Sequence, residues 1–196
     1  MTYSIKNIIK VILFALLIIP ILFGVYTDYL YVRSFNLAVF LILIFGSLFL
    51  YILGGMIVKI GFNEVSLLKM EKHEVIRALR EKKIISLITF FPITILTEEL
   101  IFRYYLIGFL LLQIQLGEIV SIFISSGVFS LYHLHVWFTF KNPRILIGYL
   151  AYSFLLGLLT AYLLLTLGLI FCFILHFSLV FLIYIRIHTI IIKKKR

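Results

Sequence analysis

Three ionisable residues stand inside an apolar stretch of this chain, from about Ile84 to Gln113, where the sequence reads Thr97-Glu98-Glu99-Leu100-Ile101-Phe102-Arg103. On insertion scales each such group costs roughly 2.5 to 3.5 kcal/mol near the centre of a membrane helix, so a partner or a function must justify it. On an α-helix Glu99 and Arg103 lie four apart and face each other, which makes them an ion pair that fixes the helix in place. Glu98 is rotated by about 100° and is left free. Desolvation strengthens an unpaired carboxylate as a base, which suits proton transfer near neutral pH.

Two other apolar runs carry histidines. One contains Phe129-Ser130-Leu131-Tyr132-His133-Leu134-His135; in the other His176 stands among Phe173, Ile174, Leu175 and Phe177. Glu98, His133 and His176 thus come from three helices, and lipid cannot solvate them, so they are expected to converge on one central pocket. His135, two residues past His133, is expected on roughly the opposite face and is given no role. A glutamate and two histidines can deprotonate and polarise a water, or bind Zn²⁺ with a position left open for that water. Either route hydrolyses a carbonyl compound.

Other intramembrane protease chemistries fit poorly. Asp28 is the single aspartate, so a two-aspartate site is excluded. Ser125-Ser126-Gly127 lacks the glycine two places before the serine that a rhomboid-type motif needs. His73-Glu74-Val75-Ile76-Arg77 begins like the zinc motif H-E-x-x-H but ends in arginine within a polar segment. Cys172 is alone inside an apolar run and reads as inert packing.

The elements that must position these groups follow from composition. With 64% hydrophobic and 13% charged residues, the chain cannot be an ordinary soluble domain. Apolar runs near Ile8 to Tyr26, Phe35 to Val58, Ile84 to Gln113, Glu118 to His135, Ile145 to Thr166 and Gly168 to His188 are each about long enough to cross roughly 30 Å of hydrocarbon. The expected fold is all-α: a polytopic membrane bundle of about six transmembrane helices, forming one integral membrane domain over residues 1–196. The first run reads as a retained helix, because no small-x-small cleavage pattern follows it.

The net charge of +10 is distributed by loop. Lys and Arg cluster in the N-terminal tail, in Lys59 to Lys83, at Lys141 and Arg144, and from Arg186 to Arg196, whereas the alternate loops hold only Arg33. That positive-inside pattern places both termini in the cytoplasm and makes lipid, not nucleic acid, the partner of the basic residues. Within Lys59 to Lys83, Val65, Leu68, Val75, Ile76 and Leu79 recur at near-helical spacing, which predicts an interfacial amphipathic helix. Tyr26, Tyr29, Tyr31 and Trp137 fall where interfacial rings report depth.

Glu98-Glu99-x-x-x-Arg103, then Phe129-x-x-x-His133, then a later histidine on successive membrane helices resembles the CPBP intramembrane protease family, which includes CAAX prenyl endopeptidases and bacteriocin-processing or self-immunity proteins. The likeness runs from roughly Ile84 to Ile187, a protease-like core of about residues 84–188. It extends to Phe154-Leu155-Leu156-Gly157 and Thr166-Leu167-Gly168. The resemblance implies that Glu98 and His133 activate the attacking water and that His176 stabilises the oxyanion. It also implies a second oxyanion group four residues past that histidine, an asparagine or aspartate, but here the residue is Val180. A valine cannot donate, and losing one donor costs on the order of a hundred- to a thousandfold in rate. Asn7, Asn36, Asn63 and Asn142 fall at or near helix ends and cannot replace it; Tyr152 and Tyr162 carry hydroxyls that could.

These features predict an intramembrane endopeptidase that cuts membrane-anchored peptides or proteins in a microbial plasma membrane, and the resemblance implies substrates of CAAX type or bacteriocin and leader peptides. The alternative is an immunity or binding protein that kept the scaffold and lost turnover. A proton-relaying transporter would need polar residues in a file across the bundle instead of in one pocket. The sequence leaves zinc, substrate and oligomeric state open.

Overall fold

The computed structural model describes residues 5–195. Residues 1–4 and Arg196, with the side chains of Lys6 and Lys195, fall outside the described residues, and parts of both terminal basic clusters fall with them. Every regular element among the described residues is helical. In chain order these are α1 (Ile5–Leu22), α2 (Leu37–Met56, prolonged by a π turn at Ile57–Gly61), α3 (Glu64–Met70) and α4 (Glu74–Arg80). Then follow α5 (Phe91–Glu99), α6 (Leu106–Leu112), α7 (Glu118–Tyr132), α8 (His135–Phe140), α9 (Pro143–Leu167) and α10 (Leu169–Lys195).

Four stretches are long and apolar enough to cross a membrane: Leu37–Gly61, Glu118–Phe140, Pro143–Leu167 and Leu169–Lys194. They make this an integral membrane protein of helix-bundle type. The first expected span is a shorter apolar helix. The third is helical without a break from residue 84 to 112, but its α-helix gives way to π turns at Ser86–Phe90 and Leu100–Tyr105. π turns are rare, and many mark functional sites; the second one here begins one residue after Glu99.

Helix starts follow side-chain chemistry. Asn36 accepts from the Val39 N–H (2.9 Å), Asn63 from Ser66 (2.9 Å), and Asn142 from Arg144 and Ile145 (3.0 and 3.2 Å), each satisfying donors that a first turn leaves orphaned. Pro143 follows at the first helical position of α9, where a missing N–H costs nothing. Between α9 and α10, Gly168 adopts φ +81°, and an added Cβ would meet the Tyr31 carbonyl oxygen at 2.6 Å. The same corner is tied by Thr166, whose carbonyl accepts from the Arg33 and Ser34 N–H groups.

Among the described elements, α7 and α9 pack most extensively against each other. At their crossing Gly157 faces Ser126, and a Cβ at 157 would sit 3.0 Å from the serine Cβ. Small residues at a membrane interface let backbones approach in this way. Ser125 and Ser126 donate to the Phe102 and Ile122 carbonyls (2.6 and 2.7 Å), so both hydroxyls serve packing. Cys172 is fully buried and its thiol faces the Thr160 carbonyl at 3.1 Å.

Three expectations change. The polar segment forms two short helices, not one, and docks on the bundle: Leu67, Met70, Val75 and Ile76 are buried with Tyr184 and Ile187 of α10, whereas Val65 and Leu68 are exposed. The break falls at His73, whose ring caps α4 in place of continuing α3. Two of the three tyrosines after α1 are packed: Tyr29 is buried, and the Tyr26 ring lies against Gly108, where a Cβ would meet it at 2.5 Å, whereas Tyr31 is exposed. His135 also departs from the expected face, because the α-helix ends at Tyr132 and the chain turns before α8.

Candidate active site

Glu98 and Glu99 close α5, and the π turn that follows carries Arg103 back beneath them. Glu99 and Arg103 are both 0% exposed, with Nε 3.7 Å from Glu99 Oε2. The guanidinium has two further supports. Its Nε donates to Thr160 Oγ1 at 2.8 Å, and its carbon lies 4.0 Å from the centre of the Phe129 ring. A cation over an aromatic face is well placed where water is excluded.

The shortest contact of Glu99 is with another group: His176 of α10, 2% exposed, directs Nδ1 at Glu99 Oε1 over 2.7 Å. A carboxylate can only accept, so Nδ1 carries the proton and donates. Across the ring, Nε2 lies 3.9 Å from Oε2 of Glu98, whose side chain is 13% exposed. One imidazole is thus set between the two adjacent glutamates. The i,i+4 rule identified the Glu99–Arg103 pair but could not see this line, since 77 positions separate Glu99 from His176.

His133 is held differently. It caps α7, and its Nδ1 lies 2.9 Å from the Phe129 carbonyl, so it too donates from Nδ1, leaving Nε2 as an acceptor. Phe129 is the hub. Its ring stands edge-on to those of His133 (4.9 Å) and His176 (5.6 Å), while its face receives Arg103. A phenylalanine four residues before the histidine therefore positions three polar groups at once.

Glu98, His133 and His176 line one cavity of about 1230 Å³. Val180, one turn past His176, lines it too, with an apolar side chain where a donor would be expected. Tyr152 also lines it; its hydroxyl is buried without a hydrogen-bond partner among the described residues, and its ring lies beside Gly54. Tyr162 packs instead in the hydrophobic cluster with Leu163 and Cys172. His135 joins the lining, its ring 5.9 Å from that of His133.

The polar segment reaches this cavity through His73. Its Nε2 is 2.9 Å from the Tyr184 hydroxyl, which in turn lies 3.0 Å from the Tyr149 hydroxyl. The Tyr149 ring is 6.0 Å from the His133 ring. Nothing in the local sequence marks this chain of contacts, because its members are 111 and 35 positions apart.

On both His133 and His176, Nδ1 is taken by a protein acceptor and Nε2 is left, as in histidines that ligate metals. The donor chemistry of Glu98, His133 and His176 fits zinc in that respect. Among the described residues, however, no three His, Cys, Asp or Glu side chains are gathered closely enough to hold an ion.

A helix-only membrane protein whose buried carboxylates bracket an imidazole has the pairing that general acid–base catalysis uses. The sequence profile of type II CAAX prenyl endopeptidases, Rce1-like, matches residues 80–182 of the 196, a span that holds Glu98, His133 and His176. The chain belongs to this family. Comparison with curated proteins and with solved structures finds no match.

Proposed function

We propose that the protein is an intramembrane endopeptidase hydrolysing a peptide bond in a membrane-associated substrate. The observation that carries this reading is the line Glu98–His176–Glu99 on the wall of a cavity shared with His133. His133, neutral and with Nε2 accepting, holds a water beside Glu98. Glu98 removes its proton as the oxygen attacks the carbonyl carbon. The same proton then passes to the amide nitrogen as the C–N bond breaks.

His176 stabilises the carbonyl oxygen, and to donate from Nε2 it must be an imidazolium. Two glutamates, one guanidinium and one imidazolium then sum to zero charge, the balance that a site shielded from water favours. The chain's own residues carry each step above.

In this reading residues 1–196 form one domain with six spans and both termini in the cytoplasm of a microbial cell. The substrate is a prenylated CAAX-type tail or a leader peptide. Lys72, Lys82 and Lys83 line the cavity and complement a peptide's terminal carboxylate.

The test compares, by mass spectrometry, membrane and secreted peptides from cells making equal amounts of wild type or Glu98→Gln. Termini that vanish with the variant are expected, corresponding to a rate loss of about 10²- to 10⁴-fold. Identical profiles, with a wild-type phenotype intact, would leave the second reading: an immunity or binding protein without turnover, which Val180 favours.

A further inference from the structure

The cavity contains a chain of hydrogen bonds whose direction is fixed from one end. That end is His73, which caps α4 by accepting the Val75 N–H at Nδ1 (3.3 Å). An imidazole nitrogen that accepts carries no proton, so the proton of His73 is on Nε2. Nε2 must then donate to the Tyr184 oxygen, 2.9 Å away.

Tyr184 is buried and has one proton of its own. Its oxygen already accepts from His73, and its other partner is the Tyr149 oxygen at 3.0 Å. Donation to Tyr149 satisfies that proton. The opposite direction would strand a buried hydroxyl donor, an arrangement that folded proteins avoid. Tyr149 is therefore the acceptor in this pair, and its own proton is left for the cavity that it lines with Glu98, His133, His176 and Val180.

We propose that the Tyr149 hydroxyl is the second donor to the substrate carbonyl oxygen, standing in for the side chain that Val180 lacks. The inference rests on the protease reading. His176 and Tyr149 hydrogen-bond the oxygen as its negative charge develops and release it when the carbonyl re-forms; neither bonds to substrate covalently. His73 and Tyr184 are positioning residues, acting through Tyr149. Tyr149 is the stronger candidate of the two cavity tyrosines: its ring is 6.0 Å from that of His133, whereas Tyr152 lies beside Gly54 of α2.

The test uses purified full-length protein and a quenched fluorogenic peptide ending in a farnesylated Cys-aliphatic-aliphatic-X tetrad. Expected for Tyr149→Phe is a fall in kcat of about a hundredfold or more, with KM within about twofold, as for loss of one oxyanion donor. Tyr152→Phe loses less. Cleavage that needs Glu98 but proceeds at the wild-type kcat in Tyr149→Phe, or is lost more in Tyr152→Phe than in Tyr149→Phe, overturns the proposal and spares the protease reading. Cleavage unaffected by Glu98→Gln overturns that reading itself.

A second measurement needs no turnover. In ¹⁵N NMR of histidine-labelled protein, with His73 assigned through His73→Gln, the Nε2–H tautomer is expected. Finding the Nδ1–H tautomer reverses the chain, makes Tyr149 donate to Tyr184, and overturns the proposal even if the probe is never cut.

Discussion

The two walls of the cavity solve one problem in opposite ways. On the wall built from α5, the π turn and α10, the Glu99–Arg103 ion pair and the His176 ring are almost fully buried and hydrogen-bonded or stacked. On the wall built from α4, α9 and the end of α10, His73, Tyr184 and Tyr149 are neutral and linked by shared protons. A charge away from water must be matched by charge, and removing either partner exposes the full desolvation cost. A neutral chain needs only a direction, and direction is set by whichever nitrogen is already engaged. The same contrast separates the two site histidines: Nδ1 of His176 faces a carboxylate, while Nδ1 of His133 faces a backbone carbonyl.

The sharpest way to break this contrast is to remove one member of each wall. Arg103→Met leaves the buried Glu99 carboxylate without its guanidinium and should destabilise the fold by about 3–5 kcal/mol in thermal unfolding in detergent. Adding Glu99→Gln should recover part of that loss, a non-additivity that a double-mutant cycle measures directly. If the double variant is no better than Arg103→Met alone, the ionic wall is not held by this pair. Tyr184→Phe, on the neutral wall, should cost only about 1–3 kcal/mol by the same measurement, since it strands the His73 imidazole donor and the Tyr149 hydroxyl acceptor, not ions. Equal losses on both walls would erase the distinction.

The smallest effect is in pH. Burial pushes the His73 imidazole from 6.5 down to about 4, against a weaker opposing pull from Glu74. The unfolded chain therefore takes up this proton below pH 6.5, while the folded chain resists until about pH 4. Between those values the unfolded state binds more protons, so stability falls as pH falls. His73→Gln should flatten that part of the stability profile; an unchanged slope would place the acid sensitivity elsewhere.

Much of this site was legible in the sequence for a simple reason. Ionisable residues in apolar runs have few places to go, so Glu98, His133 and His176 could be assigned to one pocket before any helix was placed. Four of the six expected crossings reach membrane length as apolar helical stretches; the run containing Glu98 differs because its charges interrupt it and its turns alternate between α and π. Asn36, Asn63 and Asn142 were legible as helix ends, and prove to be caps. What escaped was set by partners remote in sequence. Glu99 read as the mate of Arg103 because i,i+4 spacing is visible, whereas its 2.7 Å contact with His176 depends on how α10 packs. His135 was misplaced because α-helical periodicity was carried across a turn at residues 133–134. His73 was dismissed with its failed zinc motif, although capping α4 is what brings it to Tyr184.

The position of α10 in the chain bears on how such a protein is made. Its segment carries His176, Val180 and Tyr184, and among the described elements it is the last to leave the ribosome. Until it has inserted, Glu98 and Glu99 have no imidazole between them and Tyr149 has no neighbour to orient it. A partly synthesised chain therefore completes neither wall of the cavity until α10 has inserted. Translation order itself thus leaves the buried polar groups of the cavity incompletely partnered until α10 joins the bundle.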